Sequence, residues 1–191
     1  MNLYDNVSAV ILAAGSGSRI GMPKLQLKLG KNTFLTIIAE KFRMADIGKI
    51  ICIVSEDTFE WAKNEAPDLT FVVNPNPDEG MLSSIYLGMK EIGDCTSVVI
   101  YPVDHPYVFT ETLMRLIHKT RKHPDSVIIP VFNGKRGHPV IVPASILNYI
   151  KPGETEKGLN TILKEAGLFE VIVPVFDAGV ARNVNTKKDM R

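Results

Sequence analysis

The chain has 191 residues, 45% of them hydrophobic and 23% charged, which is ordinary for a soluble globular domain and excludes disordered, collagen-like and coiled-coil chains. Its 22 basic and 21 acidic residues leave a formal net charge of +1, so no overall field favours a nucleic acid or an anionic membrane as partner. Two cysteines without CxxC spacing exclude a disulfide framework and a zinc cluster. Neither a signal sequence nor an apolar run of roughly 20 residues is visible, so we expect a cytoplasmic protein that binds neither membrane nor nucleic acid.

Short apolar runs alternate with amphipathic stretches from the start of the chain to about residue 130. Runs that are apolar on nearly every residue predict strands covered on both faces, and therefore mostly parallel: Val7–Ala13, Ile50–Val54, Thr70–Val73, Ser97–Tyr101 and Ser126–Pro130. The amphipathic stretches predict helices: Phe34–Ala45, Thr58–Ala66, Met81–Met89 and Thr110–His123. This alternation predicts a three-layer α/β fold with right-handed crossovers.

The pattern changes after residue 130. Asn133-Gly134 between two apolar arms is a strong hairpin signal and predicts a small antiparallel excursion. The remaining elements are expected to complete a mixed, mostly parallel sheet in one domain over 1–191: short helices around Ala144–Ile150 and Gly158–Ala166, a strand near Leu168–Val175 and a short tail strand near Ala181–Val184.

The loop after the first predicted strand has the composition of a phosphate-binding loop. In an open α/β sheet, ligands bind beyond the carboxyl ends of the strands. Closely spaced glycines allow backbone amides to converge on an anion, and Arg19 and Lys24 add positive charge at the same place. The loop is neither a Walker A motif, because Gly21 is followed by Met-Pro-Lys, nor a dinucleotide fingerprint, because Ile20 stands where glycine is required. The alternative is a flexible loop whose basic side chains face solvent.

Asp104 directly follows the fourth predicted strand, in the segment Val-Asp-His-Pro. A carboxylate at that strand end, beside bound phosphates, is suited to hold Mg²⁺ through oxygen. The alternative is an aspartate that caps the following turn.

A third loop, from Asn74 to Gly80, leads into a predicted helix that carries Ser83 and Ser84 near its start. Free amides and hydroxyls at a helix N-terminus are suited to a ribose or a phosphate. Serines in a first helical turn are equally ordinary caps, so this loop alone decides nothing.

Five motifs in this order resemble those of the MobA-like nucleotidyltransferases, and most closely the molybdenum cofactor cytidylyltransferases: Leu-Ala-Ala-Gly-Ser-Gly-Ser-Arg-Ile-Gly-Met-Pro-Lys, Glu-Gly-Met-Leu-Ser-Ser, Val-Asp-His-Pro, Arg-Gly-His-Pro-Val and Asn-Val-Asn-Thr-Lys-Lys-Asp. The resemblance covers nearly the whole chain. It implies a Rossmann-like fold of the nucleotide-diphospho-sugar transferase type. It also implies transfer of a nucleoside monophosphate from an NTP to a phosphate-bearing acceptor, with release of pyrophosphate.

The same resemblance implies roles for particular residues. About 1–130 would bind the nucleotide and about 131–191 would bind the acceptor and complete the sheet. Lys24, Arg19 and Asp104 would be catalytic, and Asp104 with Asn185 would hold Mg²⁺. Gly137 and His138 would contact the acceptor. The nucleotide-binding set would be Leu12, Ala13, Ala14, Gly15, Ser16, Gly17, Lys24, Asn74, Ser83 and Ser84.

The motifs do not agree on the nucleotide. Leu-Ala-Ala-Gly, where guanylyl-type members have Leu-Ala-Gly-Gly, favours CTP, whereas the late Asn183-Val-Asn185-Thr resembles guanylyl-type members. Of the two nucleotides, we expect CTP, and so the transfer of CMP to molybdopterin. A molybdoenzyme would receive the product. The alternatives are a GTP-dependent enzyme, a transferase acting on a sugar or alcohol phosphate, and a noncatalytic accessory protein in molybdenum hydroxylase maturation. A glycosyltransferase is disfavoured, because Pro102 stands where its Asp-x-Asp motif would need the first aspartate.

Overall fold

The computed structural model describes residues 6–15, 17, 20–151 and 157–190. The helices are α1 (Phe34–Met44), α2 (Glu56–Glu65), α3 (Met81–Ile92), α4 (Thr110–Thr120) and α5 (Leu159–Glu165). The strands are β1 (Val7–Leu12), β2 (Lys28–Leu29), β3 (Asn32–Thr33), β4 (Ile50–Val54), β5 (Thr70–Val73), β6 (Ser97–Pro102), β7 (Val127–Phe132), β8 (Lys135–Arg136), β9 (Val140–Pro143) and β10 (Glu170–Pro174). None of the helices in these ranges combines the length and apolar character needed to cross a membrane.

One mixed sheet organises the described residues. Its strand order is β10-β7-β9-β6-β1-β4-β5, with β8 paired to β7 at the hairpin, while β2 and β3 form a separate antiparallel ribbon. β1 is parallel to both of its neighbours, β4 and β6, and the reversed strand β9 lies between β6 and β7. This is the mostly parallel sheet with an antiparallel excursion that the sequence predicts.

Helices cover both faces of the sheet, because neighbouring residues of each central strand point in opposite directions. In β1, Ile11 packs in a core formed with α1, α2 and α4, whereas Val10 packs in a core formed with α3 and α5. Both side chains are fully buried. The uniformly apolar strands of the sequence therefore occupy the middle layer of three, as predicted.

Parallel pairing of β1 with β6 places the loops that follow these two strands side by side. The register pairs Leu12 with Pro102, so the glycine loop and the loop that carries Asp104 leave the sheet from adjacent positions at the same edge. The backbone amide of Val103 extends this pairing by donating to the Leu12 carbonyl at 3.0 Å. The sheet thus delivers both loops to one crevice, where the sequence expects the chemistry.

One local prediction is wrong. The tail strand expected over Ala181–Val184 is a 3-10 turn over Ala178–Ala181 followed by irregular chain, because this segment lies across the strand-end loops instead of along a strand. The short helix expected around Ala144–Ile150 is confirmed as a 3-10 helix over Ala144–Tyr149. The predicted hairpin turn is confirmed, since Asn133 and Gly134 have φ of +48° and +76°.

We expect Gly88→Ala to destabilise the protein, because α3 lies very close to β1 at this glycine. A Cβ at Gly88 would lie 2.5 Å from Val10 Cγ1, in the fully packed core. Overpacking costs about 1–3 kcal/mol, which outweighs the gain of about 1 kcal/mol that alanine normally brings to a helix. The free energy of unfolding, measured in urea, should fall by up to about 2 kcal/mol.

Gly48→Ala is the matched control. Gly48 is exposed, and the described residues leave open space where its Cβ would lie. An equal loss of stability in both variants would contradict close packing at Gly88 as the cause.

Candidate active site

A cavity of about 240 Å³ opens at the carboxyl ends of β1 and β6. The glycine loop forms one wall, the start of α3 forms another, and the end of β6 forms the floor. The lining residues are Leu12, Ala14, Gly15, Gly17, Lys24, Pro77, Gly80, Met81, Ser84, Pro102, Val103 and Asp104. The two loops that the sequence singles out therefore face the same space.

The glycine loop is shaped by backbone geometry that other residues would not permit. Gly17 has a φ of +61°, and a Cβ there would lie 2.1 Å from the Met22 carbonyl oxygen. The Gly17 carbonyl accepts hydrogen bonds from the amides of Ile20 and Gly21 at 2.9 and 3.1 Å, which closes the turn. Ile20 is buried in the core, which explains an apolar residue where a dinucleotide fingerprint needs glycine.

Lys24 and Asp104 lie on the cavity wall, and Lys24 also binds a third predicted residue, Asn185. Lys24 Nζ donates to Asp104 Oδ2 at 2.8 Å and to Asn185 Oδ1 at 2.7 Å. The Lys24 and Asp104 side chains are only 21% and 18% exposed, so this ion pair is screened less than a surface pair. The Asp104 carboxylate and the Asn185 amide oxygen, which come from different loops, thus share a single positive charge.

Asp104 is held as a carboxylate. Burial opposes its ionisation, but hydrogen bonds from His105 and Lys24 outweigh burial and lower the pKa of Asp104 to about 2. His105 Nδ1 lies 2.9 Å from Oδ1, the oxygen that Lys24 does not bind. The His105 ring therefore fixes the orientation of the carboxylate and leaves Oδ2 directed at the Lys24 ammonium.

The position of Asn185 follows from the path of the C-terminal segment. The Val184 amide donates to the Asp104 carbonyl at 2.8 Å, which brings the next residue beside the carboxylate. Asp189 then accepts from the amides of Asn185 and Thr186 at 3.0 and 2.7 Å. These bonds to the Asp189 carboxylate lower its pKa and cap the turn that presents Asn185.

Asn74 joins the third loop to α3. Its Nδ2 donates to Ser83 Oγ and Ser84 Oγ, both at 2.9 Å, and its Oδ1 accepts from the Asn76 amide. Ser83 in turn donates to the Gly80 carbonyl at 2.8 Å. Among these predicted nucleotide contacts, Ser84 lines the cavity, while Asn74 and Ser83 lie behind it and hold the start of α3 in place.

A second cavity, of about 270 Å³, adjoins the first. Met81 lines both, so the two spaces share a wall. The predicted acceptor residues Gly137 and His138 line the second cavity, together with Met81, Ile129, Arg136, Val140, Gly158, Leu159, Asn160 and Leu163. Gly137 and His138 thus line a different cavity from Lys24 and Asp104, and residues from before and after position 130 line it together.

His138 lies between the second cavity and Asp104. Its ring centroid is 4.9 Å from that of His105, in an edge-to-face arrangement. Burial, with a smaller contribution from His105, lowers the pKa of His138 to about 4, although Asp104 opposes the shift. Within the described residues its buried Nδ1 has no hydrogen-bond partner. His138 is therefore a neutral ring at neutral pH.

Some predicted residues lie outside this geometry. Ser16 and Arg19 lie outside the described residues. Ala13 is buried beneath the glycine loop and does not line either cavity. Sequence reasoning missed Pro77, Gly80 and Met81 on the cavity wall, although the Asn-Pro-Asn-Pro-Asp-Glu-Gly loop was a signal that the start of α3 would be exposed there.

Comparison with known proteins identifies a family model, the MobA-like NTP transferase domain, that matches residues 9–170. A probable molybdenum cofactor guanylyltransferase of Natranaerobius thermophilus is 33% identical over 69% of this chain and 63% of its own length. A probable molybdenum cofactor guanylyltransferase of Bacillus mycoides is 26% identical over 95% of this chain and 92% of its own.

Two further similarities extend the comparison. A 2-C-methyl-D-erythritol 4-phosphate cytidylyltransferase of Petrotoga mobilis is 30% identical over 61% of this chain and 55% of its own. The solved structure of a nucleotidyl transferase from Methanothermobacter thermautotroptrophicus superposes with a TM-score of 0.78 at 22% identity, covering 97% of this chain and 94% of its own. At that identity the superposition shows the fold, which is the Rossmann-like nucleotidyltransferase fold.

We expect Asp104 to make stability depend on pH below about pH 5. Its folded pKa of about 2 lies under its ordinary value of 3.8, so its stabilising contribution is present above pH 4 and is lost as the pH falls through 2. Between pH 6 and pH 3, the wild-type protein should lose about 1 kcal/mol more unfolding free energy than Asp104→Asn. Urea unfolding of both proteins at each pH measures the difference. If the unfolding free energies of the two proteins fell equally between pH 6 and pH 3, the lowered pKa of Asp104 would be contradicted.

Proposed function

The chain belongs to the MobA-like NTP transferase family, and from that premise we propose that it transfers a nucleoside monophosphate from an NTP to a phosphate-bearing acceptor. One observation carries the proposal: Lys24 binds both Asp104 and Asn185, and Lys24 and Asp104 lie on the wall of a cavity that the glycine loop also lines. A glycine loop with free backbone amides, a lysine ammonium and two oxygen donors are what a triphosphate with its divalent ion requires.

The triphosphate is proposed to lie between the glycine loop and Lys24. Within the described residues, no atom lies within 4 Å of where a Cβ of Gly15 would be, so a phosphate can approach this part of the backbone closely. Lys24 lines the same cavity on a flexible side chain. In the proposed complex, Lys24 turns from Asp104 and Asn185 to the phosphates and stabilises the departing pyrophosphate.

The donor set of the site fits Mg²⁺. Asp104 Oδ2 and Asn185 Oδ1 both bind the Lys24 ammonium, which therefore marks a position that one cation can share. The described residues contain no cluster of three or more His, Cys, Asp or Glu side chains that would make a complete metal cage. This suits Mg²⁺, which binds through one or two protein oxygens, substrate phosphates and water. When bound, the ion would neutralise charge on the α- and β-phosphates.

The proposed reaction needs no nucleophilic side chain. An oxygen of the acceptor phosphate forms a bond to the α-phosphorus of the NTP, the bond from that phosphorus to the bridging oxygen breaks, and pyrophosphate leaves with the electron pair. The acceptor phosphate is already an anion near neutral pH. The chain's contribution is to orient the two substrates and to place positive charge at the triphosphate.

The acceptor is proposed to occupy the second cavity and to be the molybdenum cofactor. Support comes from the names of the guanylyltransferase relatives and from the position of this cavity, which shares Met81 with the first. Arg136 lines it and lies 2.7 Å from Glu170, so its charge is anchored at the rim. The neutral His138 ring lines the side nearest Asp104.

GTP is proposed as the donor, because both near relatives described above are named guanylyltransferases. CTP is the second candidate, and a specific observation favours it. Ala14, the residue that departs from the Leu-Ala-Gly-Gly of guanylyl-type members, lies on the wall of the first cavity and is 4% exposed. Its methyl group reduces the room for a base, and guanine is larger than cytosine.

Lys24→Met should lower the rate of pyrophosphate release by about 100-fold or more, because it removes the charge that stabilises the leaving group. The exposed Lys31→Met is the control and should retain wild-type rates. Rates are measured with Mg²⁺, NTP and molybdopterin. If Lys24→Met turned over at nearly the wild-type rate, Lys24 would have no part in the mechanism. If the wild type bound Mg-NTP without turnover, a noncatalytic accessory protein would be favoured over an enzyme.

Ala14→Gly should raise the ratio of the GTP rate to the CTP rate by about 10-fold, the scale on which one methylene discriminates in a pocket. The two nucleotides are compared as competitors in one reaction, with the two dinucleotide products separated by chromatography. The wild-type ratio decides between the two donors. An unchanged ratio in the variant would exclude Ala14 as the residue that selects the base.

A further inference from the structure

The backbone behind Asp104 is held at three successive carbonyl groups by three different elements. The Asp104 carbonyl accepts from the Val184 amide at 2.8 Å, and the His105 carbonyl accepts from the Tyr101 hydroxyl at 2.9 Å. The Pro106 carbonyl accepts from Lys41 Nζ. A loop in which every carbonyl is engaged in this way has little freedom to move.

Lys41 reaches the loop from α1, on the side of the sheet opposite to α3. Its side chain is half-buried, and burial lowers the pKa of Lys41 to about 8, although the nearby Asp177 opposes the shift. Asp177 is itself buried and accepts from the amides of Phe109 and Gly179 at 2.7 and 2.8 Å. Because burying an ammonium group is costly, its placement against the Pro106 carbonyl calls for a role beyond packing.

Tyr101 is the second side chain beneath the loop. It is fully buried in β6, with its ring edge-on to Phe42 of α1 at a centroid distance of 5.5 Å. Burial raises its pKa, so the hydroxyl keeps its proton and donates to the His105 carbonyl. Lys41 and Tyr101 together form what we call the carbonyl clamp.

We propose that the carbonyl clamp, Lys41 and Tyr101, positions Asp104 for the divalent cation. Neither residue touches the carboxylate. They fix the main chain one and two residues beyond it, and with it the direction in which Oδ2 points. This inference rests on the proposed function, since it concerns the cation that the triphosphate brings.

The physical reason is that metal affinity depends on how well the ligands are held in advance. Residues that orient a metal ligand without touching the metal change affinity by about 10–100-fold when they are removed. Asp104 has one oxygen fixed by His105, but its backbone has no support from regular structure, because β6 ends at Pro102. The clamp supplies that support.

The test uses Lys41→Met, which keeps the length and apolar stem of the side chain and removes the donor. Lys49→Met is the matched control, because Lys49 Nζ likewise donates to backbone carbonyls, those of Glu91 and Ile92 at 2.8 and 2.6 Å, at the end of α3 away from the cavity. Lys41→Arg, which keeps the charge and the donors, and Tyr101→Phe complete the set.

Two readouts are measured for each protein. Binding of Mn²⁺ in the presence of α,β-methylene GTP is followed by electron paramagnetic resonance, and the Mg²⁺ concentration for half-maximal turnover is measured with the natural nucleotide. We expect Lys41→Met to weaken Mn²⁺ binding by about 10-fold and to raise the Mg²⁺ requirement by a similar factor. Tyr101→Phe should shift both in the same direction, Lys41→Arg should restore most of the affinity, and Lys49→Met should change neither.

The inference is overturned if Lys41→Met binds Mn²⁺ as tightly as the wild type, or if Lys49→Met weakens binding equally. Should Lys41→Met fail to fold, Tyr101→Phe decides the matter, because it removes one hydroxyl and keeps the packed ring. A wild-type protein that transfers no nucleotide and binds no Mn²⁺ with the analogue would overturn the proposed function and the inference together. Wild-type transfer with unaffected clamp variants would overturn the inference alone.

Discussion

The site depends on one shared charge, the Lys24 ammonium that binds Asp104 and Asn185 at once. These three residues come from the loop after β1, the loop after β6 and the C-terminal segment. Separately, each would be an ordinary polar residue on a surface. Brought together in a half-buried corner, they form a place where positive charge is favoured.

The parallel pairing of β1 with β6 makes that corner possible. Because Leu12 pairs with Pro102, the two loops begin at neighbouring positions and open on the same side. The C-terminal segment completes the arrangement through a single backbone bond from Val184 to the Asp104 carbonyl. The segment is irregular because it crosses the strand ends, where it accepts from the His138 amide at Val180 and donates from Val184 to Asp104.

The residues that support the candidate site lie mostly behind it. His105 orients the carboxylate, Asn74 ties two serines to the start of α3, and Asp189 caps the turn that presents Asn185. When only the sequence is known, such polar residues look like residues that contact a ligand. The same residue types serve in both roles, so the sequence does not distinguish an internal hydrogen bond from a contact with a ligand. Asn74 illustrates this: its three hydrogen bonds are all internal.

By itself, the sequence determined the alternation of strands and helices, the hairpin turn at Asn133-Gly134 and the candidate status of the glycine loop, Lys24 and Asp104. These features depend on neighbouring residues, through apolar periodicity and backbone freedom, and local chemistry suffices to predict them. Only the tertiary structure decided four other features. Lys24 pairs with residues 80 and 161 positions away, and Lys41 contacts the Pro106 carbonyl. The path of the C-terminal segment and the two adjacent cavities likewise follow from the tertiary structure. They depend on strand order and register, which place remote segments side by side and leave no trace in local spacing.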